Sequence, residues 1–234
     1  MIRYVLLDIE GTTTDIHFVH KVLFPYSALH LPAYVKAHSQ EPVVQEALQS
    51  VKETIQQEEN RLLDLEGCIA VLLGWIEQDR KHTALKQLQG LIWKTGFEQM
   101  HYRGHVYDDV QRALQNWNVK GVGLGIYSSG SVQAQKLLFA YSEAGDLTRF
   151  FSHFFDTQVG AKREVESYRR IVTELNLPPL EILFLSDVEA ELDAARLAGL
   201  QAKQIVREGT LPSAKHDSFP TLLAVEKTTT GPRS

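Results

Sequence analysis

Apolar and polar positions along the chain fall into two regimes. Tyr4 to Leu7 is an unbroken apolar run with a β-branched member, stopped by Asp8, Glu10, Gly11 and three threonines. Such a run reads as a strand buried on both faces, as in a parallel sheet. From residue 16 to 100 the period becomes helical. Val44, Leu48, Val51 and Ile55 form one stripe, Ile69, Leu72, Leu73 and Ile76 a second, and Leu85, Leu88, Leu91 and Ile92 a third. Polar turns at Glu66-Gly67 and at Lys81-His82-Thr83 separate these helices, and no strand is predicted among them.

After Gly104 strands and helices alternate. A helix is predicted from Tyr107 to Trp117 with Val110, Leu114 and Trp117 inward. The apolar run Gly121 to Tyr127 follows and ends in Ser128-Ser129-Gly130-Ser131, and a helix runs from Val132 to Tyr141. A short apolar segment, Phe150 to Phe155, ends at Asp156. Gly160-Ala161-Lys162 precedes a helix near Ser167 to Asn176. The run from Ile182 ends at Ser186-Asp187, and a helix from Glu189 to Leu197 is closed by Gly199. Ala202 to Val206 reads as one more strand. Alternation of this kind predicts an α/β fold with a Rossmann-like parallel sheet. The expected core is residues 1–15 and 101–226. Residues 16–100 are an inserted all-helical unit, placed where a cap over an active site would be. The stretch 227–234 lacks apolar residues and reads as disordered.

Composition narrows the function. The 234 residues suffice for one large domain or two unequal ones. A net charge of −5 argues against a nucleic-acid partner, which calls for a basic face. No apolar stretch reaches the ~18 residues of a membrane span, and the immediate entry into a strand leaves no room for a signal peptide. Cys68 is the single cysteine and sits in a helical pattern, which suggests a buried thiol and a cytoplasmic protein. A monomer is expected.

In a parallel sheet the strand ends carrying Asp8 with Glu10, Ser128 with Ser129, Lys162 beside the strand ending at Asp156, and Asp187 all lie along one edge, where ligands bind. Asp8 and Glu10, two apart on extended backbone, point to one face. Together these groups suit phosphoryl transfer. An Asp can act as nucleophile, and a second carboxyl can protonate the leaving group and activate water. Hydroxyls and amides at a helix N-terminus can hold phosphate oxygens, and a Lys can neutralise developing charge. Asp8 and Asp187 would bring in a hard cation with oxygen ligands, which means Mg²⁺.

Other residues carry blander readings beside the functional ones. Glu191, one helical turn after Asp187, is either a partner behind the metal position or a helix-face acid. Asp15 reads as a helix-entry cap, and Asp108 and Asp109 as acids in the first turn of a helix. His17 and His20 lack further ligands at metal spacing and read as loop residues. Gly121-Val-Gly-Leu-Gly precedes the end of its strand, so close strand packing explains it better than dinucleotide binding. Trp75, Trp93 and Trp117 read as helix-packing residues.

The ordered set Asp8-x-Glu10-Gly-Thr12, strand-final Ser128, Lys162 and Ser186-Asp187 resembles the four motifs of the haloacid dehalogenase superfamily, and the helical insertion sits where that superfamily carries its first type of cap. Asp8-Ile-Glu-Gly-Thr-Thr-Thr-Asp15, Tyr127-Ser-Ser-Gly-Ser-Val-x-Ala-Gln-Lys-Leu-Leu-Phe139 and Phe184-Leu-Ser-Asp-Val-x-x-Glu-Leu-Asp-Ala-Ala195 are similar to its enolase-phosphatase branch, the acireductone synthases of methionine salvage. The resemblance implies one Mg²⁺ per subunit, held by Asp8, Asp187 and the backbone carbonyl of Glu10. It implies Asp8 as nucleophile, Glu10 in the acid/base position, and Lys162 against both phosphate and Asp8. Ser128, Ser129 and Gly130 would bind the phosphate. The implied substrate is 2,3-diketo-5-methylthiopentyl-1-phosphate, enolised and then dephosphorylated. Most phosphatases of the superfamily have Asp where this chain has Glu10, whose extra methylene prevents the carboxyl from reaching the same point. The enolisation base is left open between Glu10 and a Lys162 depressed by burial. Three alternatives remain: a phosphatase for another small ester, a catalytically dead phosphate-binding module, and a metal-independent dehalogenase.

Overall fold

The computed structural model describes residues 1–229 and contains two compact units, Met1–Ile16 together with the chain from Arg103 onward, and His17–Tyr102. The first unit is built on a sheet of six parallel strands: β1 (Tyr4–Leu7), β2 (Gly123–Tyr127), β3 (His153–Phe155), β4 (Ile182–Ser186), β5 (Gln201–Ile205) and β6 (Ser218–Phe219). The order across the sheet is β3-β2-β1-β4-β5-β6. The chain adds strands to one side of β1 and then returns to add β4 on the other. That reversal makes the carboxyl end of β1 the switch point where ligands of open α/β sheets bind.

β1 is central because it is apolar throughout: Val5, Leu6 and Leu7 are fully buried. Leu7 lies opposite Ile126 on β2 and Leu185 on β4, so Asp8, Ser128 and Asp187 leave neighbouring strands at nearly the same level. The glycines of β2 have a packing reason. A methyl group on Gly123 or on Gly125 would come within 2.5 Å of the Tyr4 side chain lying across them. Tyr4 Oη then donates to the Leu124 carbonyl at 2.9 Å.

Among the described residues five α-helices complete this unit after the sheet's first strand. They are α5 (Asp108–Val119), α6 (Val132–Ala140), α7 (Val165–Leu175), α8 (Glu189–Leu197) and α9 (Leu222–Thr229). Asp108 and Asp109 occupy the first turn of α5, as the pattern predicts. Helix α9 corrects the expectation of disorder from residue 227. Leu222 and Val225 are fully buried, and Trp117 on α5 donates to Thr229 Oγ1 at 3.4 Å. Two apolar anchors one turn apart suffice to dock a short helix although its last residues are polar. The remainder of that expectation, residues 230–234, lies outside the described residues. Strand β6 is only two residues long and has no run to announce it.

The second unit consists of α1 (Phe24–Ala37), α2 (Pro42–Glu59), α3 (Leu65–Glu77) and α4 (Thr83–Glu98), preceded by a π-helical turn at Val19–Leu23. Val44, Leu48, Val51, Ile55, Leu72 and Leu88 share one core with the buried thiol of Cys68. Leu73 and Leu91 fall at the margin of their stripes and are only half-buried. Glu66-Gly67 is no turn. The Asp64 carboxylate caps α3 by accepting the Gly67 amide at 2.8 Å, and the reversal comes earlier, at left-handed Asn60. Helix α1 carries Pro25 in its first turn and Pro32 inside it, which breaks the pattern the other three display. No helix among the described residues is long and apolar enough to cross a membrane.

Candidate active site

Asp8 is delivered by β1 into a turn wound about one carbonyl. The Ile9 oxygen accepts the amides of Thr12, Thr13 and Thr14 at 3.2, 2.9 and 2.9 Å. Gly11 in this turn has φ +74°, and a side chain there would collide with the Asp187 carboxylate, so the turn and the β4 end approach closely. Thr13 Oγ1 donates to the Asp8 carbonyl at 3.1 Å. Glu10 is half-buried and pairs with Thr14 across the turn.

Lys162 reaches this point from the segment between β3 and α7. Its Nζ lies 2.5 Å from Asp8 Oδ1 and 2.6 Å from Glu191 Oε2, with all three side chains nearly buried. The segment is fixed from behind by three side chains that bond its backbone carbonyls. Tyr127 Oη donates to the Gly160 carbonyl at 3.0 Å, Ser167 Oγ to Ala161 at 2.8 Å, and Tyr168 Oη to the Lys162 carbonyl at 2.7 Å. Gly160 has φ +130°, and any side chain there would overlap Ser167. Burial pulls the Lys162 ammonium down, but the Asp8 and Glu191 charges outweigh it and hold its pKa above the ordinary lysine value. The two carboxylates favour the cationic form of Lys162, against the reading of it as a base depressed by burial.

Glu191 faces Lys162 rather than solvent. It lies on α8, and it is buried against the site, accepting from Ser186 Oγ at 2.9 Å. Burial and the Asp8 charge raise its carboxyl, with Lys162 opposing.

Asp187 follows β4. Its carboxyl is pushed up to about 7, first by burial and then by the Asp8 charge. Asp187 Oδ1 is buried and has no hydrogen-bond partner. Three acids, Asp8, Asp187 and Glu191, thus crowd about Lys162, which ion-pairs with Asp8 and Glu191. This crowding, with one orphaned carboxylate oxygen, fits a site completed by a hard cation. Among the described residues no three His, Cys, Asp or Glu side chains form a metal cluster. Two carboxylates with the Glu10 carbonyl would instead be the protein donors.

The loop from Ser128 to Gly130 is partly self-satisfied. Ser128 is buried at the end of β2, Ser129 is exposed and Gly130 half-buried. The Ser128 amide donates to the Phe155 carbonyl at 3.1 Å, and the Gly130 amide to Ser128 Oγ at 3.2 Å. These two amides are engaged within the protein. Accepting the Gly130 amide leaves the Ser128 hydroxyl its proton to donate. Asp156, at the end of β3, accepts the Val132 amide at 3.2 Å and the Gln158 amide at 2.9 Å, joining β3 to the start of α6. Among the blander readings, Asp15 offers its amide to His105 Nδ1 at 2.9 Å, and His20 packs edge-on against Phe24.

A buried Asp ending the central parallel strand, with a Lys and a second Asp brought to the same edge, marks a doubly wound α/β protein of the hydrolase class. The comparisons give the same class and refine it. The chain belongs to the haloacid dehalogenase-like hydrolases, whose family model matches residues 2–199. It is 48% identical over 216 residues to "Enolase-phosphatase E1" of Erwinia tasmaniensis, covering 92% of this chain and 93% of that one. It is 50% identical over 216 residues to the protein of the same name in Picosynechococcus, covering 92% and 94%. The crystal structure of the UTR4 protein of Saccharomyces cerevisiae matches with a TM-score of 0.79 at 32% identity, over 94% of this chain and 98% of that one. The L-2-haloacid dehalogenase of Xanthobacter autotrophicus shares the fold at a TM-score of 0.57 and 17% identity, with 98% of each chain covered.

Proposed function

We propose that the protein is a Mg²⁺-dependent enolase-phosphatase of methionine salvage. In this reading it converts 2,3-diketo-5-methylthiopentyl-1-phosphate to the acireductone by enolisation and then dephosphorylation. The observation that carries the phosphatase part is the Asp8 carboxylate clamped by Lys162 at 2.5 Å at the switch point of the sheet. The enolase part rests on the names of relatives about half identical to this chain over nine-tenths of its length.

Asp8, Asp187 and the Glu10 carbonyl would hold Mg²⁺, one per subunit, whose charge would offset the acids and supply Lewis-acid polarisation to the substrate. Ser128 donates its hydroxyl proton to a phosphate oxygen, and Ser129 and Gly130 line the same loop. Lys162 neutralises charge developing on phosphorus and holds Asp8 in one orientation. With Lys162 kept protonated, Glu10 is the base that removes the C1 proton, and the electron pair moves to the C2 oxygen to give the enol phosphate. Asp8 then attacks phosphorus, the bond between phosphorus and the C1 oxygen breaks, and that oxygen takes the proton held by Glu10. Water hydrolyses the aspartyl-phosphate to inorganic phosphate and free Asp8.

The helical unit His17–Tyr102 acts as a cap that selects the substrate and excludes water, a role supported by its insertion directly after the β1 turn. The reading also takes the enzyme as a cytoplasmic monomer acting on a free small molecule. The single, buried cysteine supports the cytoplasmic part, and the acidic net charge supports a small-molecule partner over a nucleic acid.

The test follows ultraviolet absorbance of the enol and phosphate release in parallel on the diketo phosphate, with and without Mg²⁺. Enol absorbance preceding phosphate release, and loss of both on chelation, is the expected result. Phosphate release with no enol at any time would reduce the protein to a phosphatase for another ester.

A further inference from the structure

Arg207, just beyond β5, lies outside every motif that marks the site, yet it is buried beside the Asp8 turn. Its Nε and Nη2 both donate to the Thr12 carbonyl, at 3.1 and 2.9 Å. Nη1 and Nη2 donate to Asp109 Oδ1 and Oδ2 at 2.8 and 3.2 Å, and Nη1 also donates to the Pro220 carbonyl at 3.3 Å. All five guanidinium N–H groups are thereby engaged. The guanidinium carbon stands 4.1 Å from the centre of the Tyr107 ring, and the Tyr107 amide donates to the Thr13 carbonyl at 3.1 Å. Asp109 Oδ2 in turn accepts the Leu222 amide at 2.6 Å.

We infer that Arg207 is a positioning residue for catalysis, holding the turn that carries Asp8 and Glu10 in its working geometry through the Thr12 carbonyl. Within the turn three amides converge on the Ile9 oxygen and the Gly11 amide donates to the Thr14 carbonyl at 2.8 Å, and these bonds fix its curl. Consecutive carbonyls, Thr12 and Thr13, are gripped from outside the turn by Arg207 and by the Tyr107 backbone. Thr12 is fully buried, and its own Oγ1 has no partner that would take over the task. A forked, planar donor is required to grip one carbonyl twice while pairing a carboxylate, and lysine cannot supply it. A misplacement of about 1 Å at reacting groups can cost on the order of 10²-fold in rate.

The inference rests on the reading of Asp8 as the catalytic nucleophile, so the experiment carries its own control. Steady-state kinetics on the diketo phosphate at saturating Mg²⁺ are measured for R207K, D109N and D8N, each normalised to folded protein. We expect R207K to lose about tenfold or more in kcat with KM within about threefold, and D109N to lose less with the same split. A purely stitching role would lower the melting temperature and leave kcat of the folded fraction unchanged. R207K at wild-type kcat beside an inert D8N overturns the assignment of Arg207 alone. An active D8N overturns the underlying reading and the inference with it. Should R207K not fold, a folded D109N at wild-type kcat overturns the assignment.

Discussion

Lys162 Nζ stands 2.6 Å from Glu191 Oε2 while it holds Asp8 Oδ1 at 2.5 Å, so one buried cation bridges the end of β1 and the first turn of α8. Glu191 sets the direction in which the ammonium faces Asp8. Removing its charge should let Lys162 settle on Asp8 alone and bind the nucleophile too tightly. For Glu191→Gln we expect kcat to fall by about tenfold to a hundredfold, the range of a misplaced catalytic group. Folding should suffer little, because Lys162 keeps one carboxylate partner. Kinetics beside a thermal melt check this, and wild-type kcat in Glu191→Gln would remove Glu191 from the mechanism.

That bridge shows what the sequence discloses and what it hides. Asp8, Lys162 and Asp187 were legible because each ends or closely follows a strand, and parallel strands bring their ends to one edge. Glu191 was half legible, since its spacing from Asp187 fixes a helical turn but not the face that the turn presents. Tyr127, Tyr168 and Ser167 were not legible, because each acts on a backbone carbonyl and leaves no spacing of acids or bases to read. The helical stripes of α2, α3 and α4 emerged from periodicity alone. Helix α1 did not, because Pro25 and Pro32 mask a helix that tertiary packing nonetheless completes.

Asp187 gives the metal-free protein a pH dependence of defined sign. Burial and the Asp8 charge raise its carboxyl from the ordinary 3.8 to about 7, so the folded state holds that proton more tightly than the unfolded chain does. The stability this contributes is fully present below pH ~4 and is lost as pH rises through about 7. A divalent cation must displace the same proton, so apparent Mg²⁺ affinity should weaken as pH falls below about 7. Mg²⁺ should therefore raise the melting temperature more at pH 8 than at pH 5.5, and Asp187→Asn should remove that difference. Equal Mg²⁺ stabilisation at both pH values would contradict the site.

Glu10 separates the two chemical steps better than Asp8, whose carboxylate would serve both metal and phosphorus. Enolisation needs a polarised carbonyl and a base, whereas hydrolysis needs a nucleophile at phosphorus and a proton for the leaving oxygen. Lys162 stays protonated between Asp8 and Glu191, and both Asp8 and Asp187 are assigned to the metal. Glu10 is thus the motif carboxyl left to move protons in either step. Glu10→Gln keeps the backbone carbonyl and the Ser128 cradle and removes only the proton relay. General acid–base groups contribute about 10²–10⁴-fold, so the deficit should be plain in a single-turnover assay. If Glu10 served hydrolysis alone, the enol phosphate would accumulate and its absorbance would persist. We expect neither enol nor phosphate to form at a measurable rate, because the first step already lacks its base. Near-normal phosphate release by Glu10→Gln would defeat the assignment, and accumulated enol would confine Glu10 to the second step.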